Sequence, residues 1–189
     1  MLAGNKMAKS NLRDKLHYIF GHIMAIVALV IVVIVFGGAY YFIIAPNLVS
    51  KPSIEKPAFS ENAIEEMSEG KQAISPEHIN YLVNELDGYK LKNTWGDKLP
   101  IIEFLFTDTN VRYYSYVKDH VPITKEGNAK GNDILIKGSQ QVAYEIIESG
   151  NIPQATKQAV DSGKLSVELV SDMKTLATKG YLSIYDNVR

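Results

Sequence analysis

The chain has 189 residues, 46% hydrophobic and 22% charged, with a net charge of −1 and no cysteine. That length holds one domain of ordinary size with appendages, and a charge so near zero supplies no global field for nucleic acid. The missing cysteines exclude disulfide staples, thiolate zinc sites and cysteine nucleophiles.

Residues 1–17 read as a basic tail, with Lys6, Lys9, Arg13 and Lys15 set against Asp14 alone. From Leu16 to Ser50 no Asp, Glu, Lys or Arg occurs, and the centre, Ile23 to Ile44, holds nothing more polar than tyrosine. At about 1.5 Å per residue this centre makes a helix of roughly 33 Å, long enough for a hydrocarbon core. Residues 18–44 are therefore predicted as one transmembrane helix. A cleaved signal peptide fits less well, because its apolar region runs about 7–15 residues. Four cations precede the helix, while Lys51 and Lys56 follow it. This bias predicts a single-pass signal anchor in the cell membrane, with a cytoplasmic amino terminus and an extracytoplasmic carboxy-terminal domain.

Residues 45–74 carry Pro46, Pro52 and Pro57, then Glu61, Glu65, Glu66 and Glu69, with few large apolar side chains. The composition predicts a tether with a helical turn or two from Ser60.

Residues 75–189 are expected to form the folded domain. Ser75-Pro76-Glu77 opens a helix whose Ile79, Leu82, Val83 and Leu86 share a face, with Gly88 as the stop. Two alternating strands follow. Ile102, Phe104 and Phe106 fall on one side of the first; Val111, Tyr113, Ser115 and Val117 fall on one side of the second. Asp108-Thr109-Asn110 is hairpin chemistry between them. "HVPIT" is an edge strand because of Pro122, and "KEGNAKGN" reads as a hairpin loop leading into "DILIK". Ser139 caps a helix ended by Gly150, and Ile152 to Gly163 forms another. Leu165, Val167 and Leu169 alternate as a last strand. Met173, Leu176, Ala177, Gly180, Tyr181, Ile184 and Tyr185 then recur as one helical face capped by Ser171. An antiparallel sheet with helices on one face, an α+β domain, accommodates that order.

The order of elements and the phrases "IEFLFTD", "NDILIKGS", "QVAYEIIESGNIPQATKQAV" and "SGKLSVELVSDMKTLATKG" resemble the sterol carrier protein 2 (SCP2-like) family over residues 76–186. The family usually places Gly-Asp directly after the short strand, whereas this chain reads "VELVSD". The resemblance implies an apolar tunnel between sheet and helices for an acyl, isoprenoid or sterol-like chain. The residues make a parallel case. Ala155, Ala159, Ala177 and Gly180 leave gaps facing Phe104, Phe106, Ile146, Leu165, Val167, Met173 and Tyr181, with Leu176 on the same helical face as the last of these. Each is equally at home as a core residue.

Catalytic patterns are missing. His120 follows Asp119, but neighbours on a strand point to opposite faces, and His78 sits in a first helical turn where solvation is usual. No HExxH, GxSxG, Walker or GxGxxG pattern occurs. The sequence therefore predicts no enzyme, cofactor or metal site. It predicts membrane lipid as the partner, other membrane proteins as alternative partners, and no nucleic acid. The competing reading is an accessory subunit of a membrane complex that docks through Tyr113, Tyr114 and Tyr116.

Overall fold

The computed structural model describes residues 24, 26–38, 40, 48–94 and 98–188, and the chain divides into two units between residues 45 and 46. In the first unit, residues 26–38 are α-helical, and Leu29, Ile34 and Phe36 expose about two thirds of their surface. Among the described residues no helix is long and apolar enough to cross a membrane. The basic tail, and much of the predicted transmembrane segment, lie outside the described residues.

The second unit is α+β. Its strands are β1 (Ile101–Phe106), β2 (Arg112–Lys118), β3 (Val121–Glu126), β4 (Ile134–Gly138) and β5 (Ser166–Leu169). Its helices are α1 (Ala63–Ser68), α2 (Pro76–Glu85), α3 (Gln140–Glu148), α4 (Ile152–Asp161), α5 (Met173–Lys179) and α6 (Tyr181–Val188), with a 3-10 turn at Gly88–Lys90.

The sheet runs β3-β2-β1-β4-β5 and is mixed, which corrects the antiparallel expectation. β1 pairs antiparallel with β2 but parallel with β4, Phe104 lying opposite Tyr113 on one side and Ile136 on the other. The glycine-rich segment 127–133 is thus no hairpin loop. It carries the chain from the β3 edge to the far side of β1, and a strand delivered there with this polarity runs parallel to β1. Pro122 does lie on the edge strand, as its missing donor requires. Asp119 and His120 are not strand residues. Both have positive φ and form the tight β2–β3 turn, with His120 Nδ1 3.0 Å from the Tyr89 carbonyl.

Alternation decides what the sheet buries. Ile102, Phe104, Phe106, Tyr113, Val117 and Ile134 point to the face that meets Ile79, Leu82, Val83, Ile146, Ile147, Ile152 and Ile184 of the helices. Each such aliphatic or aromatic side chain contributes roughly 1.5–3 kcal/mol on burial. Leu105, Tyr114, Tyr116 and Leu135 on the opposite face stay half-buried.

Three helix ends differ from expectation. Helix α2 stops at Asp87, which adopts the left-handed conformation, while Gly88 packs closely on Val83. The long carboxy-terminal helix is broken at Gly180 (φ +90°), which caps α5 and starts α6 afresh. Asp172, not Ser171, caps α5: its side chain accepts from the Thr175 N–H.

The segment predicted as a tether is packed over much of its length. Ala63, Met67 and Ile74 are buried, and Phe59 stacks on His78 at 4.1 Å and meets Tyr144 edge-on at 4.6 Å. His78 is accordingly buried and not solvated. Its Nδ1 accepts from the Ser75 N–H (3.2 Å), completing a capping box. Burial pushes its pKa below 6.5, against smaller opposing effects from Glu77, the Ala58 carbonyl and Glu148. The fold therefore favours the neutral ring. The stability this gives is present above the unfolded value near 6.5 and is lost as pH falls below it. A histidine-to-glutamine change at position 78 should flatten that acid limb in urea titrations run between about pH 7 and 5. An unchanged limb would refute this assignment.

Candidate functional site

Two apolar cavities lie between the sheet and the helices, of about 20 Å³ and about 40 Å³. The smaller is bounded by Leu82, Phe106, Ala143 and Ile146; the larger by Val83, Ile102, Ile134, Val167, Tyr181 and Ile184. Leu86, Phe104, Ile136, Thr156 and Leu165 touch both and form the wall that separates them. No Lys, Arg, His, Asp or Glu lines either one.

Local sequence places each part of that wall. Phe104 and Ile136 are paired neighbours on the parallel β1/β4 seam, and Val167 continues the row on β5. Leu165 enters from the turn before β5 and rests on Gly138: a Cβ there would come within 2.9 Å of Leu165 Cδ1. The absence of a side chain at 138 is what lets Leu165 descend between sheet and helix. Thr156 faces inward from the middle of α4, 3% exposed, and its hydroxyl has no hydrogen-bond partner among the described residues. A buried hydroxyl left unpaired costs about 1–3 kcal/mol, so Thr156 is an unfilled polar position in an otherwise apolar lining.

Of the residues singled out in the sequence, Phe104, Phe106, Ile146, Leu165, Val167 and Tyr181 line these cavities. The other four lie elsewhere. Met173 is 60% exposed in the first turn of α5. Leu176 is buried but borders neither cavity, and Gly180 backs onto the Lys90 carbonyl and Leu91. Ala159 lies with Ala155 in a separate, half-polar cleft between α3 and α4. Leu86, Ile136, Gly138 and Thr156 were not singled out. Gly138 carried a signal, being a glycine at the end of a strand that opens directly onto a capped helix.

Tyr181 marks the edge of this interior. Its hydroxyl donates to Asp133 Oδ2 (3.1 Å), which also accepts from the Ile101 N–H (2.9 Å). Lys179 Nζ donates to both Asp133 oxygens (2.8 Å each) and to the Leu99 carbonyl (2.9 Å), and Ser171 donates to Oδ1 (2.8 Å). Burial, then the Asp133 charge and hydrogen bond, hold the Tyr181 pKa well above its usual 10, so the ring stays a hydroxyl donor. Beyond this knot lies an open groove of about 730 Å³.

No family model matches the chain, and no curated protein matches it. Among solved structures, the chain is similar to a UbiJ-SCP2 ubiquinone synthesis protein at 11% identity and a TM-score of 0.33, covering 48% of this chain and 71% of that one. It is also similar to the stereoselective inverting sec-alkylsulfatase Pisa1 from Pseudomonas sp. (14% identity, TM-score 0.32, covering 53% of this chain and 14% of that one). A double mutant of the PisA1 sec-alkyl sulfatase gives 18% identity and a TM-score of 0.32, covering 41% and 12%. The chain thus spans a small part of either sulfatase. The SCP2-like resemblance seen in the sequence recurs among solved structures at a weak level, and superpositions this partial assign neither family nor activity.

Proposed function

We propose that the chain is a lipid-binding module without enzymatic activity, holding one apolar chain between its sheet and its helices beside a membrane. The observation that carries this reading is the pair of charge-free cavities divided by five side chains, one of them a threonine with an unused hydroxyl. The interior is closed: cavities of about 20 and 40 Å³ admit little more than water-sized guests. An acyl or isoprenoid chain enters by pushing Leu165 off Gly138 and joining the two spaces into one channel. Thr156 then meets the lipid's uncharged polar atom.

The first unit supplies the anchor in this reading. What supports it is the charge-free run from Leu16 to Ser50 and the exposed apolar residues of the helical stretch 26–38. The amino terminus is cytoplasmic and the second unit extracytoplasmic; a reporter fused after Arg189 and scored for exposure on each side checks this. An anchor beside its lipid source raises the effective concentration of ligand.

Native mass spectrometry of the full chain released from nanodiscs tests the binding. The expected result is a co-purifying lipid mass, with Leu165→Ala raising the bound fraction severalfold because it opens the wall at one of its five side chains, while costing about 2 kcal/mol of stability. A chain that is free of lipid in both forms overturns the proposal. A second reading, an accessory subunit, rests on the outer sheet face, where Tyr114 and Tyr116 stack at 6.4 Å and Lys125 lies over the Tyr116 ring. Tyr113 takes no part in such a surface, being 1% exposed and bonded to the Ile74 carbonyl (2.8 Å).

A further inference from the structure

The interior excludes charge, yet its border with solvent is built in the opposite way. The groove beyond Tyr181 gathers Lys98, Lys130 and Lys174 around the Asp133–Lys179 pair. All three lysines are exposed, and none forms an ion pair among the described residues. Asp133 is neutralised by Lys179 and saturated by its hydrogen bonds, so that among the described residues lining the groove Asp172 is the remaining carboxylate beside the three lysines.

Groove and interior share a border at one side chain, Tyr181. Tyr181 does both jobs: its ring bounds the cavity and its hydroxyl touches Asp133 of the groove. The two regions therefore meet around the start of the parallel β1/β4 seam.

We infer that this groove is an anion site for a phosphate or phosphate-like group, the charged end of an amphiphile whose apolar end occupies the cavity. The inference rests on the lipid-binding reading for its apolar half only. A tetrahedral anion with several acceptor oxygens suits three separate ammonium groups better than a single carboxylate would, since each lysine is a point charge that needs its own oxygen. The hydroxyls of Ser171 and Thr178 border the same groove.

The test is calorimetric titration of the full chain in nanodiscs with hexyl phosphate, hexanol and inorganic phosphate, each below any micelle-forming concentration. Hexyl phosphate is expected to bind roughly tenfold more tightly than hexanol, and the advantage to shrink with added salt. The triple variant Lys98→Gln, Lys130→Gln, Lys174→Gln, altering exposed side chains alone, is expected to abolish that advantage while hexanol binding stays put. Equal affinity for hexanol and hexyl phosphate, unmoved by the triple variant, overturns the groove assignment and leaves the lipid reading standing. Binding of inorganic phosphate that the triple variant removes, with no binding of hexanol, supports the groove as a site for free phosphate and overturns the lipid reading. Binding of none of the three overturns both.

Discussion

Replacing Asp133 with alanine is expected to destabilise the second unit by about 3–5 kcal/mol, the range for breaking a buried ion pair by removing one partner. The cause is what stays behind. Lys179 is 5% exposed and would keep its ammonium group inside with the Leu99 carbonyl alone. The Ile101 N–H and the Ser171 and Tyr181 hydroxyls lose their acceptor in the same stroke. Two backbone donors, Val170 and Ser171, bond instead to the Asp133 carbonyl and survive the change. Urea unfolding of the full chain should show a lower midpoint at constant slope. The double variant Asp133→Leu, Lys179→Met should recover much of the loss, because no charge is then left buried. A single variant within about 0.5 kcal/mol of the parent would refute the role given to this pair.

The second large effect is expected at Gln140, whose side chain is fully enclosed at the start of α3. Its Oε1 accepts from the Ala73 and Ile74 N–H groups (2.9 and 3.1 Å), and its Nε2 donates to the Lys71 carbonyl (2.9 Å). One side chain thus stands in for a strand partner to residues 71–74. Gln140→Ala strands one buried and one half-buried backbone donor and should cost about 2–4 kcal/mol. The loss should be local in character. Amide exchange should accelerate first at Ala73 and Ile74, before the β1–β2 amides respond. Uniform acceleration across the sheet would show that 71–74 does not open on its own.

These two positions also show where reading the sequence stops. The alternation in "IIEFLF", the Ser75-Pro76 start and the glycines after α3 and α4 are local signals, and the structure places those elements as read. Leu165 and Val167 likewise face inward because their spacing leaves one side of the turn and strand apolar. Asp133 sits in a polar loop, "GNAKGND", and nothing local distinguishes it from its neighbours. Its partner is 46 residues away. Lys179 did carry a hint, since it falls three residues after Leu176 on a face that is otherwise apolar. The parallel pairing of β1 with β4 is a long-range choice that composition does not encode. Residues 45–74 read as a tether because what holds the described part to the domain is hydrogen bonds from Gln140, the ring stack on His78 and the scattered buried side chains Ala63, Met67 and Ile74, not a periodic apolar stripe. Gly180 falls on the helical face by spacing, and only its left-handed backbone (φ +90°) reveals it as a break.

The mixed sheet has a consequence for the order of assembly. Neighbouring strands β1, β2 and β3 are joined by short turns, so they can zip soon after synthesis. The central seam is different, for Ile102 must find Ile134 across the whole intervening meander. Closure of so long a loop carries an entropic delay, and the cavity walls of Phe104, Ile136 and Leu165 cannot exist until it is done. The interior between sheet and helices is therefore completed only after this seam has closed.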